Sequence, residues 1–403
     1  MTYQYAGRDT TGKPVKGTVQ AESQSAAVTR VRALGVVPTA VKQRGGGLNR
    51  EVTLPSFGAK VKLKDLAVFA RQFSTMINSG LSLLRALLIL EEQTTNVELR
   101  GTLAQVRQDV ESGVALSTAM ARHSRVFPPL MINMIRAGEV GGFLDTTLLR
   151  VADNFESEVK LRGKVKSAMT YPVVVLVMAV VMCSAMLIFI VPTFAGMFTS
   201  LGGTLPLPTR ILMLLSHFMT YGAPVAVVAG VAFVLTWPKV KHDPRLRNVL
   251  DPLRLKLPVF GDLAQKIALS RFTRNLGAML RAGVPILQSL DIVGGTSGNV
   301  VIARAVDEVQ RSVRSGESLT RPLANHPVFP PMVVQMLAVG EDTGALDVML
   351  EKIAQFYDQE VEQTTESLTA LIEPLMIAVL GGTVGSMIIA LYMPIFKVFD
   401  LVK

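Results

Sequence analysis

Thiol and imidazole chemistry is scarce in this sequence. One cysteine, Cys183, and four histidines stand among 403 residues, which excludes a disulfide framework and a cysteine-based zinc centre. Charge is thin too, at 18% of residues against the ~25% usual in soluble chains. There is no Walker A phosphate loop. Gly12-Lys13 runs into Pro14 and Gly163-Lys164 into Val165, where Ser or Thr is needed, so energy must come from a partner. The opening MTYQYAGRDT has no apolar core behind a basic start, and no secretory signal is expected. No resident cofactor or metal is expected either.

What is present is apolar and basic. Hydrophobic residues reach 49%, mean hydropathy is +0.40, and the formal net charge is +10. That combination points to membrane spans rimmed with Lys and Arg rather than to nucleic acid. Charged side chains vanish between Lys166 and Arg210, and again between Arg210 and Lys239. Three runs are long enough to cross the ~30 Å hydrocarbon core: Tyr171–Pro192, Ile211–Pro238 and Pro374–Phe396. Lys160, Arg162, Lys164 and Lys166 precede the first, and Lys239, Lys241, Arg245 and Arg247 follow the second. The loop between them carries no charge until Arg210. The positive-inside tendency then puts the N-terminus in the cytoplasm and, after three crossings, the C-terminus outside.

The chain repeats itself. FARQFSTMINSGLSLLRAL (69–87) returns as FTRNLGAMLRAGVPILQSL (272–290), and FPPLMINMIRAGEVGGFLD (127–145) as FPPMVVQMLAVGEDTGALD (329–347). Each copy is a polar module followed by a span. Like copies starting on the same side need one further crossing between them, which Ile211–Pro238 supplies.

Both copies read as helices. Leu66, Phe69, Ala70, Phe73, Met76 and Ile77 form one helical stripe ending at Gly80, and Asn96–Ser112 forms another helix. An apolar helix after Phe127-Pro128-Pro129 is predicted to stop at Gly138, and a last helix from about Phe143 to run into the first span. The first residues differ: YQYAGRDTTGKPVKGTV alternates around a turn at Asp9–Gly12, followed by a helix over Ser23–Leu34 and a strand VVPTAVK. The fold is expected to be mainly α. Residues 1–45 are a small α+β unit, 46–61 a linker, 62–168 and 262–372 two duplicated helical bundles on the cytoplasmic side. Residues 169–194, 211–238 and 373–397 are three transmembrane helices.

Together, the KLKDLAVFARQF start (62–73), the paired Gly80/Gly283 turns, the FPP…GE…G blocks, the terminal YMPIF and the N-terminal YxYxGxDxxGKxVKG pattern resemble the PilC/GspF family of inner-membrane platform proteins. That family serves type IV pilus and type II secretion machines. The resemblance implies a non-enzymatic platform whose helical modules dock a hexameric assembly ATPase. It implies a membrane part that handles pilin or pseudopilin subunits beside other inner-membrane assembly proteins. GGTSGNVV (294–301) leans toward the pilus branch. A transporter is the rival of another class, and no central polar site in the spans favours it.

Several residues stand out as candidate contacts, each with a blander alternative. Gly138-Glu139…Gly142 and Gly340-Glu341…Gly344 are either a helix stop followed by a first-turn acid or a docking surface. Arg71 and Arg274, each in an apolar helix, are either bundle-internal ion partners or docking contacts. Lys160 and Lys164 align with Glu362 and Glu366, so the juxtamembrane helices either face each other with opposite charge or are separately solvated. Gly381 and Gly385, four apart in the last span, permit close helix approach within the chain or in a homo-oligomer. His123 and His326 precede each FPP and read as surface residues. Glu373 sits at the inner end of the third span, either functional or simply interfacial.

Overall fold

The computed structural model describes residues 2–9, 14–21, 23–33, 35–43, 60–200, 205–240, 244–258 and 260–401. The linker over 46–59 and residues 10–12 of the expected hairpin turn lie outside them. The chain divides into two compact units, Met1–Lys60 and Val61–Lys403.

In the first unit β1 (Thr2–Asp9), β2 (Pro14–Gln20) and β3 (Val36–Gln43) form an antiparallel sheet in the order β2-β1-β3, with Tyr3 opposite both Val19 and Gln43. Helix α1 (Gln24–Ala33) buries Ala27 and Val31.

The second unit carries the duplication. Copy one contains α2 (Leu63–Asn78), α3 (Leu83–Gln93), α4 (Val97–Glu111), α5 (Leu116–Ala121), α6 (Pro129–Gly141) and α7 (Leu144–Ala185). A π-helical segment Met186–Ile190, α8 (Val191–Ser200), α9 (Leu207–Val240) and α10 (Pro244–Lys256) follow. Copy two repeats the order as α11 (Phe260–Arg281), α12 (Ile286–Thr296), α13 (Val300–Arg314), α14 (Thr320–Leu323), α15 (Pro331–Thr343) and α16 (Leu346–Leu401).

Equivalent residues do equivalent work. Asn96 and Asn299 cap α4 and α13, accepting from the Leu99 and Val301 amides at 3.1 and 2.8 Å. Phe127 packs on Phe69 and Phe329 on Phe272, with ring centres 6.0 and 5.4 Å apart. Pro129 and Pro331 open α6 and α15, where a missing amide hydrogen costs nothing. The apolar stripe of α2 buries Leu66, Phe69, Ala70 and Phe73.

The two copies share one continuous hydrophobic core. Helix α7 packs on α11 and α16, and α6 on α11 and α12; among the described residues no comparable packing joins α15 or α16 to α2 or α3. The joint between copies is therefore head-to-tail rather than two-fold.

Two helical stretches, Leu144–Ser200 and Leu346–Met393, are long and apolar enough to cross a membrane. The expected module boundaries at 168 and 372 fall inside α7 and α16, which pass from core to apolar stretch without a break. Tyr171, Val173, Leu176, Val177, Met178, Val180 and Val181 are exposed, which an aqueous core helix would not tolerate. Pro192 cannot donate to Ile188, and the π-helical segment stands just before it.

Two differences from the sequence expectation concern glycine. Helix α6 does not stop at Gly138, nor α15 at Gly340. Both run on and end at Gly142 and Gly344, whose φ of 76° and 71° makes them the left-handed caps. Gly138 lies inside the helix because α7 approaches there: an added Cβ would sit 2.7 Å from Thr147 Cβ. The tight helix contact overrides helix propensity.

Candidate functional site

The candidate residues fall into three groups, two of them on α7 and α16 and one on α6 and α15. In each copy an arginine on the first helix pairs with a carboxylate on the long helix. Arg71 donates to Glu156 at 2.7 and 2.6 Å and to Asp153 at 2.5 Å. Arg274 donates to Asp358 and to Ser270 Oγ at 3.2 Å. Arg71 and Arg274, like Glu156 and Asp358, are repeat equivalents, so the duplication preserves the pair. Hydrogen bonds to Glu156 and then Asp153 hold the Arg71 guanidinium above its usual range. The same bond from Arg71 holds the Glu156 carboxyl below its own range. Both arginines thus make ion pairs within their own bundle.

Glu139 and Glu341 are not first-turn acids. They lie in the last turns of α6 and α15, and each caps the start of the preceding short helix. Glu139 accepts from the Leu116 and Ser117 amides at 2.5 and 3.1 Å and from Ser117 Oγ at 2.6 Å. Glu341 accepts from the Leu319 amide at 2.8 Å and from Ser318 Oγ at 2.7 Å. A carboxylate at these otherwise unsatisfied amides ties α6 to α5 and α15 to α14.

Closest to the apolar stretches, the long helices meet with opposite charge. Lys164 pairs with Glu362, one of the cross-copy contacts expected. Lys160 and Glu366, which flank that pair, make no ion pair among the described residues. Sequence reasoning missed most of the rest of this group. Glu158 accepts from Arg162 at 2.5 Å and lies 3.2 Å from Arg271 on the other copy. Lys266 reaches Asp262 at 2.9 Å and Glu360 at 3.0 Å; burial opposes its charge, and the two carboxylates outweigh that and raise it. The available signal was a break in the repeat. Arg271 and Lys266 stand where copy one has Val68 and Leu63. Asn154 donates to Asn275 at 3.3 Å across the joint, both buried, and their repeat partners are Phe356 and Gln72.

The remaining candidates stand apart. A Cβ at Gly381 or Gly385 would meet nothing within 4 Å, so that face of α16 packs on no other part of the described chain. His326 contacts Glu308 at 3.0 Å, and no metal-holding cluster occurs among the described residues, His123 included. Glu373 is exposed.

Duplicated helical modules fused through one core and drawn out into apolar helices define a duplicated, membrane-attached helical protein. Comparison with known proteins gives that class its family. The description Type II secretion system (T2SS), protein F fits residues 69–192 and again 272–394, and the N-terminal domain of the same family fits residues 1–42. The chain belongs to this family, the PilC/GspF proteins of type IV pilus and type II secretion systems. It is 45% identical to the Type IV pilus assembly protein PilC of Thermus thermophilus, over 98% of both chains. With the PilC of Myxococcus xanthus it shares 41% over 97% of this chain and 94% of that one. With the Type II secretion system protein F of Vibrio cholerae it shares 31% over 100% and 99%.

Proposed function

We propose that this chain is the inner-membrane platform of type IV pilus assembly, coupling a cytoplasmic hexameric ATPase to insertion and extraction of pilin subunits. The observation that carries the coupling is the pair of unbroken helices α7 and α16. Both start in the shared core and continue as apolar stretches, so displacement of the core moves the spans directly. Identity with PilC proteins, higher than with the secretion counterparts, favours pilin over pseudopilin as cargo. The platform performs no chemistry itself; the motor supplies it.

In this reading α9 is a third span. It has 34 residues, and Leu212, Met213 and Met219 pack against Leu187 of the π-helical segment, Val191 at the start of α8, and Met387 and Leu391 of α16. Thr209 Oγ1 also donates to the Ala390 carbonyl at 2.6 Å. The N-terminus then lies in the cytoplasm and the C-terminus outside. Replacing Cys183 by Ala gives a thiol-free background for labelling. Thr204→Cys should react with an impermeant maleimide from outside and Ser79→Cys only after permeabilisation; the reverse pattern inverts the topology. For the function, a hexameric assembly ATPase should co-purify with the full chain. Normal piliation in a strain lacking the chain refutes the reading.

A further inference from the structure

At the level where α7 leaves the core, a cavity of about 580 Å³ opens between α7 and α11. Its upper wall is cationic, formed by Arg162, Lys166 and Arg271, with Glu158 as the facing carboxylate; Arg274, also present, is neutralised by Asp358. Its lower wall is apolar, formed by Met169, Val173 and Val174. Val174 lies two turns beyond Lys166 on the same helix, roughly 12 Å along the axis. The cavity therefore passes from charged to greasy along the line on which the apolar stretch begins.

The charge is unbalanced. Arg162 and Arg271 share Glu158, and Lys166 makes no ion pair among the described residues. Arg271 Nε lies 3.2 Å from Glu158 Oε1 but is not aligned for a hydrogen bond, leaving a buried donor unsatisfied. Burial lowers the Arg271 guanidinium from its usual range, the mark of a cation short of counter-charge. The repeat offers no counterpart: the positions equivalent to Arg162, Lys166 and Arg271 are Thr364, Leu368 and Val68.

We propose that this cavity binds one anionic diacyl phospholipid, its phosphate between Arg271, Arg162 and Lys166 and an acyl chain along Met169, Val173 and Val174. The phosphate completes the hydrogen bonding of Arg271, and the acyl chain fills a wall that water would leave unfavourably wet. A soluble anion would satisfy the upper half only. The lipid wedges between the first long helix of copy one and the first helix of copy two, so acidic lipid stabilises the head-to-tail joint.

The inference rests on α7 crossing the membrane. Membrane-fraction recovery of every variant tests that separately. The full chain is purified in a mild non-ionic detergent, offered phosphatidylglycerol, phosphatidylcholine or inorganic phosphate, and weighed by native mass spectrometry. One phosphatidylglycerol should be retained in preference to phosphatidylcholine, and inorganic phosphate should not displace it. Arg271→Gln with Lys166→Gln should weaken retention by roughly fivefold for each cation removed. Val174→Trp, which fills the greasy end and leaves every charge in place, should weaken it as well and decides the matter if the Arg271 variant fails to fold. Lys160→Gln with Lys164→Gln removes the same charge outside the cavity and should leave retention intact. Equal retention of both lipids, equal loss in the Lys160/Lys164 variant, no loss with Val174→Trp, or full displacement by inorganic phosphate each overturns the proposal.

Discussion

Copy one and copy two are most alike where each holds its own long helix, and least alike where the long helices approach the apolar stretches. The arginine–carboxylate ties, the asparagine caps, the Phe–Phe contacts and the glutamate caps recur in both. Toward the membrane, copy one turns basic at Lys160–Lys166 and copy two acidic at Glu360–Glu366. The difference separates two demands on a duplicated module. Folding requires each copy to repeat its internal contacts, whereas the facing long helices α7 and α16 are repeat equivalents, so identical charges there would repel and the two copies must differ.

The largest effect expected from breaking this comparison is at the arginines. Arg274 has 10% of its side chain exposed and Arg71 35%, so the equivalent ties differ in burial. Arg274→Ala should cost about 2 kcal/mol, because it removes a largely buried guanidinium from Asp358, which Ser270 Oγ still holds at 2.6 Å, whereas Arg71→Ala should cost about 1 kcal/mol. Thermal or denaturant unfolding of the purified chain measures both, and equal losses would remove the distinction.

A smaller contrast lies in the helix-crossing glycines. A Cβ at Gly138 would sit 2.5 Å from Oγ1 and 2.7 Å from Cβ of the stiff Thr147, whereas at Gly340 the overlap is milder, with Leu346 Cα and Met349 Cγ both at 3.0 Å. Gly138→Ala should destabilise by about 2 kcal/mol even after the gain in helix propensity, and Gly340→Ala by about 1 kcal/mol. Unfolding midpoints of the two variants settle the order.

The Lys164–Glu362 contact sharpens the comparison from the other side. Both groups are about 40% exposed, so Lys164→Glu alone should cost only about 0.5 kcal/mol. Adding Glu362→Lys should restore both stability and piliation, and a double reversal no better than the single one would show that the charges act separately. The smallest effect is on pH. The Glu156 carboxyl titrates below its unfolded value of 4.5, so the stability it contributes is present above that pH and fades as pH falls through the folded value. Wild type should therefore lose slightly more stability than Arg71→Ala between about pH 5 and pH 3.

Much of the fold was legible because it rests on local pattern. The α2 stripe, the Asn96 cap and the FPP breaks are written within a turn or two of the residues they govern, and the duplication confirms each by repetition. Gly138 misled because a glycine inside a helix is justified only by Thr147 on the next element, which a helix-stop rule cannot see. Glu139 misled in the same way, since its amide partners precede it by more than twenty residues. Arg271 went unnoticed because one more basic residue on an amphipathic helix carries no mark of what it faces. Only the folded chain brings Glu158 and the apolar wall of α7 opposite it.

The buried Asn154–Asn275 contact joins positions 121 residues apart, with α8, α9 and α10 between them. A ribosome adding ~5–20 residues per second needs roughly six to twenty-four seconds to pass from one to the other. During that interval the first copy exists without its neighbour. The face it will lend to the common core is open to water, while the apolar segments between the copies must already be leaving the aqueous phase. Biogenesis of this protein is thus a matter of timing, in which insertion into lipid comes before the last core contacts close.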